Sequence, residues 1–209
     1  MSEPVHVSSH PLIASRIAEL RHKSTQPARF RELVRQLSQL LFFEAAEKLQ
    51  VEPMNVSTPL SETSGLRLKQ RIGLIPILRA GLGMVDSILE YIPEAQVWHL
   101  GLYRNEETLE PVTYYNKLPA TPRIDLAIVL DPMLATGGSS ITSLSILKRW
   151  GARELWYIGL IAAPEGVKRM QAAHPDVPLY LGALDSHLNY QGYIVPGLGD
   201  AGDRQFATA

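Results

Sequence analysis

A glycine-rich turn after Asp131 is the strongest chemical pattern in this sequence. An apolar run ends in the Asp131 carboxylate, and the chain then passes through Thr136 and Ser139 into a predicted helix. Backbone N–H groups at a helix N-terminus, aided by the helix dipole and the two hydroxyls, can bind a phosphate. Because Asp131 would repel that phosphate, it is better suited to hold sugar hydroxyls or a metal ion nearby. The alternative is a plain helix capped by Ser139.

Two arginines are candidates for the same chemistry. Arg79 follows the apolar run 72–78 and precedes two glycines, and its planar guanidinium can bind phosphate oxygens through two parallel hydrogen bonds. A surface ion pair is an equally common use of such an arginine. Arg104 lies in the long polar loop 102–111, and loops of this kind often close over binding sites.

Two other phosphate-binding motifs do not fit. The sequence has no Gly-Lys dipeptide and therefore lacks a P-loop. Gly81 and Gly83 resemble the start of a dinucleotide-binding fingerprint, but Asp86 stands where the third glycine belongs and would place an acid near a pyrophosphate. The turn after Asp131 is therefore the better phosphate candidate.

The composition indicates one globular domain. The chain has 209 residues, of which 45% are hydrophobic and 20% are charged, and it has no cysteine. Without cysteine, disulfides, thiolate metal sites and a thiol nucleophile are excluded. The 20 basic and 21 acidic residues give a net charge of -1, which does not favour a nucleic-acid partner. The start lacks a signal-peptide pattern and no apolar run has membrane-spanning length, so we expect a cytoplasmic protein with no membrane partner.

Hydrophobic periodicity predicts the elements that position these residues. Two helices occupy the first fifty residues; Ser9 is the predicted cap of the first, and the second has an apolar stripe from Phe30 to Leu41. Further on, predicted helices alternate with apolar strands, the helices at about 81–91, 138–150 and 164–174 and the strands at 72–78, 97–102, 124–130, 155–162 and 179–184. This alternation predicts a parallel sheet covered on both faces, with ligands beyond the carboxyl ends of its strands. The C-terminal tail, residues 190–209, is either a structured loop or a frayed end.

Four segments, read together, carry a resemblance to a known family. They begin at Arg79, Arg104, Asp131 and Tyr193 and read RAGLGM, RNEETLEPV, DPMLATGGS and YIVPGLGDAGDR. The aspartate with Thr-Gly resembles the type I phosphoribosyltransferases in general, and the last segment resembles the uracil phosphoribosyltransferases in particular. Together the four segments extend the resemblance over essentially the whole chain. The resemblance implies an α/β, type I phosphoribosyltransferase fold: a central, mostly parallel sheet flanked by helices, with N-terminal helices and a C-terminal hood.

The resemblance also implies a reaction and its residues. Enzymes of this family are pentosyltransferases that convert uracil and 5-phosphoribosyl 1-diphosphate (PRPP) to UMP and diphosphate in pyrimidine salvage. The residues that match the catalytic set are Asp131, Arg79, Arg104 and Asp200. The PRPP-binding set adds to these Pro132, Met133, Leu134, Ala135, Thr136, Gly137, Gly138 and Ser139. The uracil-binding segment matches Ile194, Gly199, Asp200 and Ala201.

The implied cofactor is Mg²⁺. By resemblance it is held mainly by the diphosphate and ribose hydroxyls of PRPP, with Asp200 as a candidate protein ligand. The resemblance also suggests a homo-oligomer, a dimer or a tetramer, and GTP is a candidate effector because it activates some relatives. A single domain, 1–209, would comprise a helical N-terminal arm at 1–52, an α/β core at 70–184 and a uracil-binding hood at 185–209.

Two positions depart from related patterns. Pro132 stands where many type I transferases carry a second acid, a feature that the uracil enzymes share. Ala207 stands where the family usually has glycine, and a positive φ there would force a change in the tail.

Two alternative functions remain open at this stage. A nucleotide-sensing regulator on the same fold would bind RNA, but it would need a basic face, which the charge balance disfavours. A transferase for another base, such as a purine, is disfavoured by the segment 193–204.

Overall fold

The fold is built around one large β-sheet. The computed structural model describes residues 5–104 and 111–208, without the side chains of Tyr103, Arg104 and Pro111. In chain order the elements are β1 (Val5–Val7), α1 (Pro11–Arg21), α2 (Pro27–Ala46), β2 (Val51–Ser57), β3 (Glu62–Leu68), β4 (Ile72–Leu78), α3 (Leu82–Leu89), β5 (Gln96–Val97), β6 (Leu100–Arg104), β7 (Pro111–Asn116), β8 (Leu126–Leu130), β9 (Met133–Leu134), α4 (Gly138–Trp150), β10 (Glu154–Ala162), α5 (Pro164–Ala173), β11 (Leu179–Leu184), β12 (His187–Leu188), β13 (Ile194–Val195) and α6 (Ala201–Phe206).

The strand order brings the predicted site residues to one edge of the sheet. The order is β1-β11-β10-β8-β4-β6-β7, with β5 beside β4 and β9 beside β10. Strands β4 and β8 are parallel, with Pro76 opposite Leu130, and β6 runs parallel to β4 on its other side. Arg79 and Asp131 therefore follow the carboxyl ends of neighbouring strands, and Arg104 ends the next strand along.

Helices cover both faces of the sheet, as the apolar strands predict. On one face, Leu74 and Ile128 pack in a core that includes residues of α1, α2 and α3. On the other face, Ile75 and Val129 pack against α4 and α5. Neighbouring residues in a strand point to opposite faces, so a strand buried on both sides must be apolar throughout. The predicted mostly parallel sheet with helices on both faces is confirmed.

Several local predictions need correction. His10, rather than Ser9, caps α1, because its Nδ1 accepts a hydrogen bond from the Leu12 N–H at 3.1 Å. The strand predicted at 97–102 is divided between β5 and β6. The hairpin of β2 and β3 has no counterpart among the predicted elements. Most of its residues are exposed, so it lacks the apolar alternation by which a half-buried strand is recognised.

The apolar stripe of α2 is core, as predicted. Phe30, Leu33, Val34, Leu37 and Leu41 are fully buried. In the described part of the chain, no helix is both long and apolar enough to cross a membrane.

Candidate active site

The turn after β8 exposes the beginning of helix α4. Gly137 precedes the helix with a φ of 78°, a left-handed conformation that glycine adopts without strain. No described side chain caps this helix end, so the interpretation of Ser139 as a cap is wrong. The carbonyl of Thr136 accepts a hydrogen bond from Arg169 Nη1 at 2.7 Å, which holds the turn in place. The first N–H groups of the helix have no partner within it and are available to an anion. We call residues 131–139 the phosphate cradle.

Asp131, the first residue of the cradle, is an unusual acid. Burial is the largest cause that raises the pKa of Asp131, to about 7, and the nearby charge of Asp200 raises it further. Hydrogen bonds from the Met133 N–H, at 3.3 Å, and from Ser140 act in the opposite direction. The free protein therefore holds this carboxyl partly protonated at neutral pH. A ligand that donates hydrogen bonds to it favours its charged form.

A buried tyrosine holds the backbone of Asp131 in place through a hydrogen bond. The hydroxyl of Tyr157 donates a hydrogen bond to the Asp131 carbonyl at 3.2 Å. Tyr157 is fully buried in β10, and burial raises its pKa well above the usual value. It is therefore a neutral donor at any pH at which the protein would work, and it fixes the backbone of Asp131.

Arg79 lies at the edge of the site, in contact with the tail. Its Nη2 donates to Asp203 Oδ1 at 3.0 Å, and its Nη1 lies 3.5 Å from the Thr208 hydroxyl. A hydrogen bond from Thr208 is the main cause that lowers the pKa of Asp203, and Arg79 adds to it. The side chain of Arg79 is 55% exposed, so its guanidinium remains accessible to a ligand. A Cβ added at Gly202 would lie 3.2 Å from Asp200 Oδ1 and 3.9 Å from Arg79 Nη2, so both side chains border Gly202.

The tail is structured and packs against the core. The side chains of Ile194, Leu198 and Ala201 are buried in the same cluster as helices α1 to α3. Gly199 has a φ of 80°, and Asp200 caps α6 by accepting a hydrogen bond from the Asp203 N–H at 2.8 Å. Because the Ile194 and Ala201 side chains point into the core, this segment presents mainly backbone groups to a ligand.

The N-terminal helices hold the tail in this position. Arg21 of α1 forms an ion pair with the buried Asp185, and it donates to the Gly197 carbonyl at 2.8 Å. Asp185 Oδ2 also accepts from the Gly197 N–H at 2.9 Å. On the other side, Arg31 of α2 donates to the Gln205 carbonyl at 2.7 Å. Cationic side chains therefore pair with the backbone at both ends of the tail segment 197–205.

Ala207 stands where the family usually has glycine, and the structure shows which backbone conformation it adopts. It has a φ of 54° and a ψ of 45°, a left-handed conformation at the end of α6. Its backbone N–H donates to the Asp203 carbonyl, as in the usual helix ending with glycine. The expected positive φ is therefore present. An alanine adopts this conformation at a cost of roughly 1–2 kcal/mol.

Most of the predicted residues meet at one end of the sheet. The structure brings together Asp131 and its cradle, Arg79 and Asp200. Arg104 ends β6 at the same edge, but its side chain and residues 105–110 lie outside the described residues.

Sequence reasoning missed the supporting residues Ser140, Tyr157, Asp203 and Thr208. A tyrosine within a strand that is otherwise buried and apolar was the one available signal, because a buried hydroxyl needs a partner. The others belong to no motif, and only their three-dimensional position reveals them.

Solved structures identify the class of protein that this fold and site define. Adenine phosphoribosyl transferase from Trypanosoma brucei matches with a TM-score of 0.59 at 12% identity, over 95% of this chain and 88% of that chain. At this identity the match shows the fold alone. The fold is therefore that of the type I phosphoribosyltransferases, with the strand-end aspartate and the cradle at the carboxyl edge of its sheet.

Sequence comparisons narrow the class to one family. A family model for uracil phosphoribosyltransferase matches residues 7–208. The uracil phosphoribosyltransferase of Roseiflexus castenholzii is 59% identical over 204 residues, and that of Listeria welshimeri is 51% identical over 205, each covering 98% of both chains. A solved protein from Aquifex aeolicus is 37% identical with a TM-score of 0.93, over 98% of this chain and 99% of its own. The chain belongs to the uracil phosphoribosyltransferase family.

Proposed function

We propose that this enzyme transfers the 5-phosphoribosyl group of PRPP to uracil and releases diphosphate, forming UMP. The family membership supports the choice of substrates. The observation that carries the proposal is the proximity of two sites, since Asp200 and Arg79 both border Gly202. Asp200, within the segment proposed to bind uracil, lies close enough to Asp131 for its charge to raise the pKa of that carboxyl. A base and a sugar bound by these two residues would be neighbours.

The donor would occupy the cradle and the arginine beside it. The backbone and hydroxyls of residues 132–139 would hold the 5-phosphate at the start of α4. Asp131 would accept hydrogen bonds from the ribose hydroxyls, and binding would shift it to its charged form. Arg79 follows β4 and Arg104 ends the neighbouring β6, and both would face the diphosphate.

These positions suit the chemistry of the transfer. Breaking the bond between C1 of the ribose and the diphosphate builds positive charge on the sugar and negative charge on the leaving oxygens. Arg79 and Arg104 would stabilise the leaving group, while the cradle fixes the sugar for attack by the base. No side-chain nucleophile is required.

The residues present fit a magnesium ion held mainly by the substrate. Among the described residues, no group of three or more His, Asp or Glu side chains is placed to hold a metal. Asp131 and Asp200 supply hard carboxylate oxygens, and Mg²⁺ commonly binds one or two carboxylates together with substrate phosphates. When bound, the ion would neutralise charge on the departing diphosphate.

The backbone of the tail would select the base. Uracil presents an acceptor, a donor and an acceptor along one edge, which N–H and C=O groups near Ile194 and residues 199–201 can pair. Cytosine would place an amino donor against a backbone donor. The resulting unpaired buried groups would exclude it, because sites built around hydrogen bonds discriminate strongly.

Other properties rest on the family resemblance alone. These are the role in pyrimidine salvage, the cytoplasmic location, GTP activation and a dimer or tetramer, and the uracil-binding hood at 185–209 is a proposal of the same kind. Light scattering would give the oligomeric state, and initial rates with added GTP would test activation.

One assay tests the proposed function directly. The purified protein is incubated with PRPP and uracil, with and without Mg²⁺, and UMP is measured. Hypoxanthine replaces uracil in a parallel reaction, and an RNA mobility shift at low salt tests the regulator. UMP formation that depends on Mg²⁺ is the expected result. Turnover of hypoxanthine in preference to uracil, or RNA binding without UMP formation, would overturn the proposal.

A further inference from the structure

The side chain of Arg204 connects the proposed uracil segment to the end of helix α1. Its Nη1 donates to the Leu198 carbonyl at 2.7 Å and to the Leu20 carbonyl at 2.9 Å. Its Nη2 donates to the His22 carbonyl at 2.7 Å. Carbonyls at the end of a helix have no partner within it. The Arg204 guanidinium therefore donates to two carbonyls at the end of α1 and to one carbonyl of the tail, and joins the two segments.

The surroundings of Arg204 hold its guanidinium in one orientation. It lies 4.5 Å from the centre of the Phe30 ring, which is itself fully buried. Burial also lowers the pKa of Arg204, as expected for a cation withdrawn from water. Its donors form a rigid fork, so the bond to the Leu198 carbonyl holds the peptide between Leu198 and Gly199 at a fixed position relative to α1.

We infer that Arg204 is a positioning residue for uracil: it fixes the Leu198–Gly199 peptide, and with it the backbone that reads the base. The inference rests on the proposed function, because it requires that residues 199–201 bind uracil. Arg204 would act through the backbone and would not touch either substrate. The phosphate cradle is held by α4, α5 and β10 and would not depend on it.

Three variants and a matched control separate this role from general stability. Arg204→Lys keeps the charge but loses the planar fork, Arg204→Met keeps only the stem, and Arg204→Ala leaves space for added guanidinium. Arg29→Lys is the control. Arg29 also joins α2 to α1, through Glu19, and it pairs with Glu32 of its own helix, but it has no bond to any described residue of the tail.

The readout is the KM for uracil compared with the KM for PRPP. We expect the uracil KM to rise about tenfold in Arg204→Lys and about a hundredfold in Arg204→Met, the range for losing bonds from a charged donor. The PRPP KM should stay within about twofold, and Arg29→Lys should change neither. Millimolar guanidinium should restore uracil affinity in Arg204→Ala and have no effect on the parent.

Each result supports or overturns one statement. A parent that forms no UMP overturns the proposed function, and the inference with it. A parent that forms UMP, with equal KM changes for both substrates in folded Arg204→Lys, overturns the inference alone. If Arg204→Met does not fold, Arg204→Lys decides, since circular dichroism will show whether it is native. A matching loss of uracil affinity in Arg29→Lys would assign the effect to α1 packing and also overturn it.

Discussion

The phosphate cradle and the tail lie at the same site, but they are built in different ways. The cradle consists of consecutive residues that run from the end of β8 into α4, so most of its geometry is local, and its outside partners, Tyr157 and Arg169, lie nearby in the chain. The tail is held by contacts with the opposite end of the chain, where Arg21 pairs with Gly197 and Arg204 with Leu20. A local site tolerates changes elsewhere, whereas the tail depends on distant residues. Affinity for the two proposed substrates should therefore be separable by mutation.

The largest expected effect is at Asp131. Asp131→Asn removes the negative charge that would hold the ribose hydroxyls, and we expect kcat/KM for PRPP to fall about a hundredfold. The fold should remain intact, because Asn occupies the same space. Asp125→Asn is the control, since it removes a carboxylate that pairs with Arg71 away from the cradle. Steady-state kinetics that show near-normal activity in Asp131→Asn would exclude this residue from the mechanism.

A substitution at Gly199 should affect the other substrate. A branched side chain resists the φ of 80° observed there, so Gly199→Val should distort the backbone that reads the base. We expect at least about a tenfold loss of uracil affinity with PRPP affinity retained. Gly151→Val is the matched control, because Gly151 has a φ of 99° at the end of α4. Calorimetric titrations that show equal losses of both ligands in Gly199→Val would contradict the separation.

Arg79 lies between the phosphate cradle and the tail, so its substitution tests how far the affinities for the two substrates can be separated. Arg79→Lys keeps the charge but loses the planar fork, so PRPP affinity should fall about tenfold. Uracil affinity should fall less, since the lysine can still pair with Asp203. Arg71→Lys changes a surface arginine of similar pairing and should have no effect on either ligand. An unchanged KM for PRPP would remove Arg79 from the proposed diphosphate site.

The titration of Asp131 should change the stability of the fold and the affinity for PRPP in opposite directions as the pH rises. Burial raises the pKa of Asp131 in the folded protein from 3.8 to about 7, so between these values the folded state binds more protons than the unfolded state. Stability contributed by the neutral form is therefore lost as the pH rises through this window, and the melting temperature of the parent should fall relative to Asp131→Asn. PRPP affinity should change the other way and weaken as the pH falls below about 7. If the difference in melting temperature between the parent and Asp131→Asn stays constant across this pH window, the raised pKa of Asp131 is contradicted.

The smallest expected effect concerns the end of the tail. Ala207→Gly removes the strain of a left-handed alanine, and we expect a gain of about 1 kcal/mol in the free energy of unfolding. Uracil and PRPP affinities should remain the same, because the backbone already has the required conformation. Chemical denaturation provides the measurement. A loss of stability would mean that the greater flexibility of glycine in the unfolded chain outweighs the relief of strain.

The sequence predicted the cradle better than the tail, because the cradle is formed by adjacent residues and the tail is held by distant ones. The apolar strand, Asp131, the glycines and the following helix are adjacent in the chain, so their pattern could be read directly. The segment 193–204 was recognised only by resemblance, and residues 190–209 alone were compatible with a frayed end. What orders them is Arg21, Arg31 and Arg204, each of which donates to backbone carbonyls, and Arg21 also pairs with Asp185. Carbonyls belong to every residue, so no sequence pattern marks them as partners.

Charge and burial at Asp131 were also beyond the sequence. Its position at the end of a strand was predicted, but the shift in its pKa depends on the depth of the site and on Asp200. Both quantities arise from tertiary packing. The exposed hairpin of β2 and β3 was missed for a related reason, since its residues follow no pattern imposed by a core.

The bonds between Arg204 and helix α1 have a consequence for how the molecule assembles. They join carbonyls near residue 20 to the side chain of residue 204, so the base site depends on a contact that spans 184 positions along the chain. Contacts of such sequence separation form late, because the chain entropy must be lost before the bonds compensate for it. During refolding, fluorescence from Trp150 in α4 and Trp156 in β10 should recover before the ability to bind uracil. A newly made chain would thus acquire its proposed donor site first and its choice of base last.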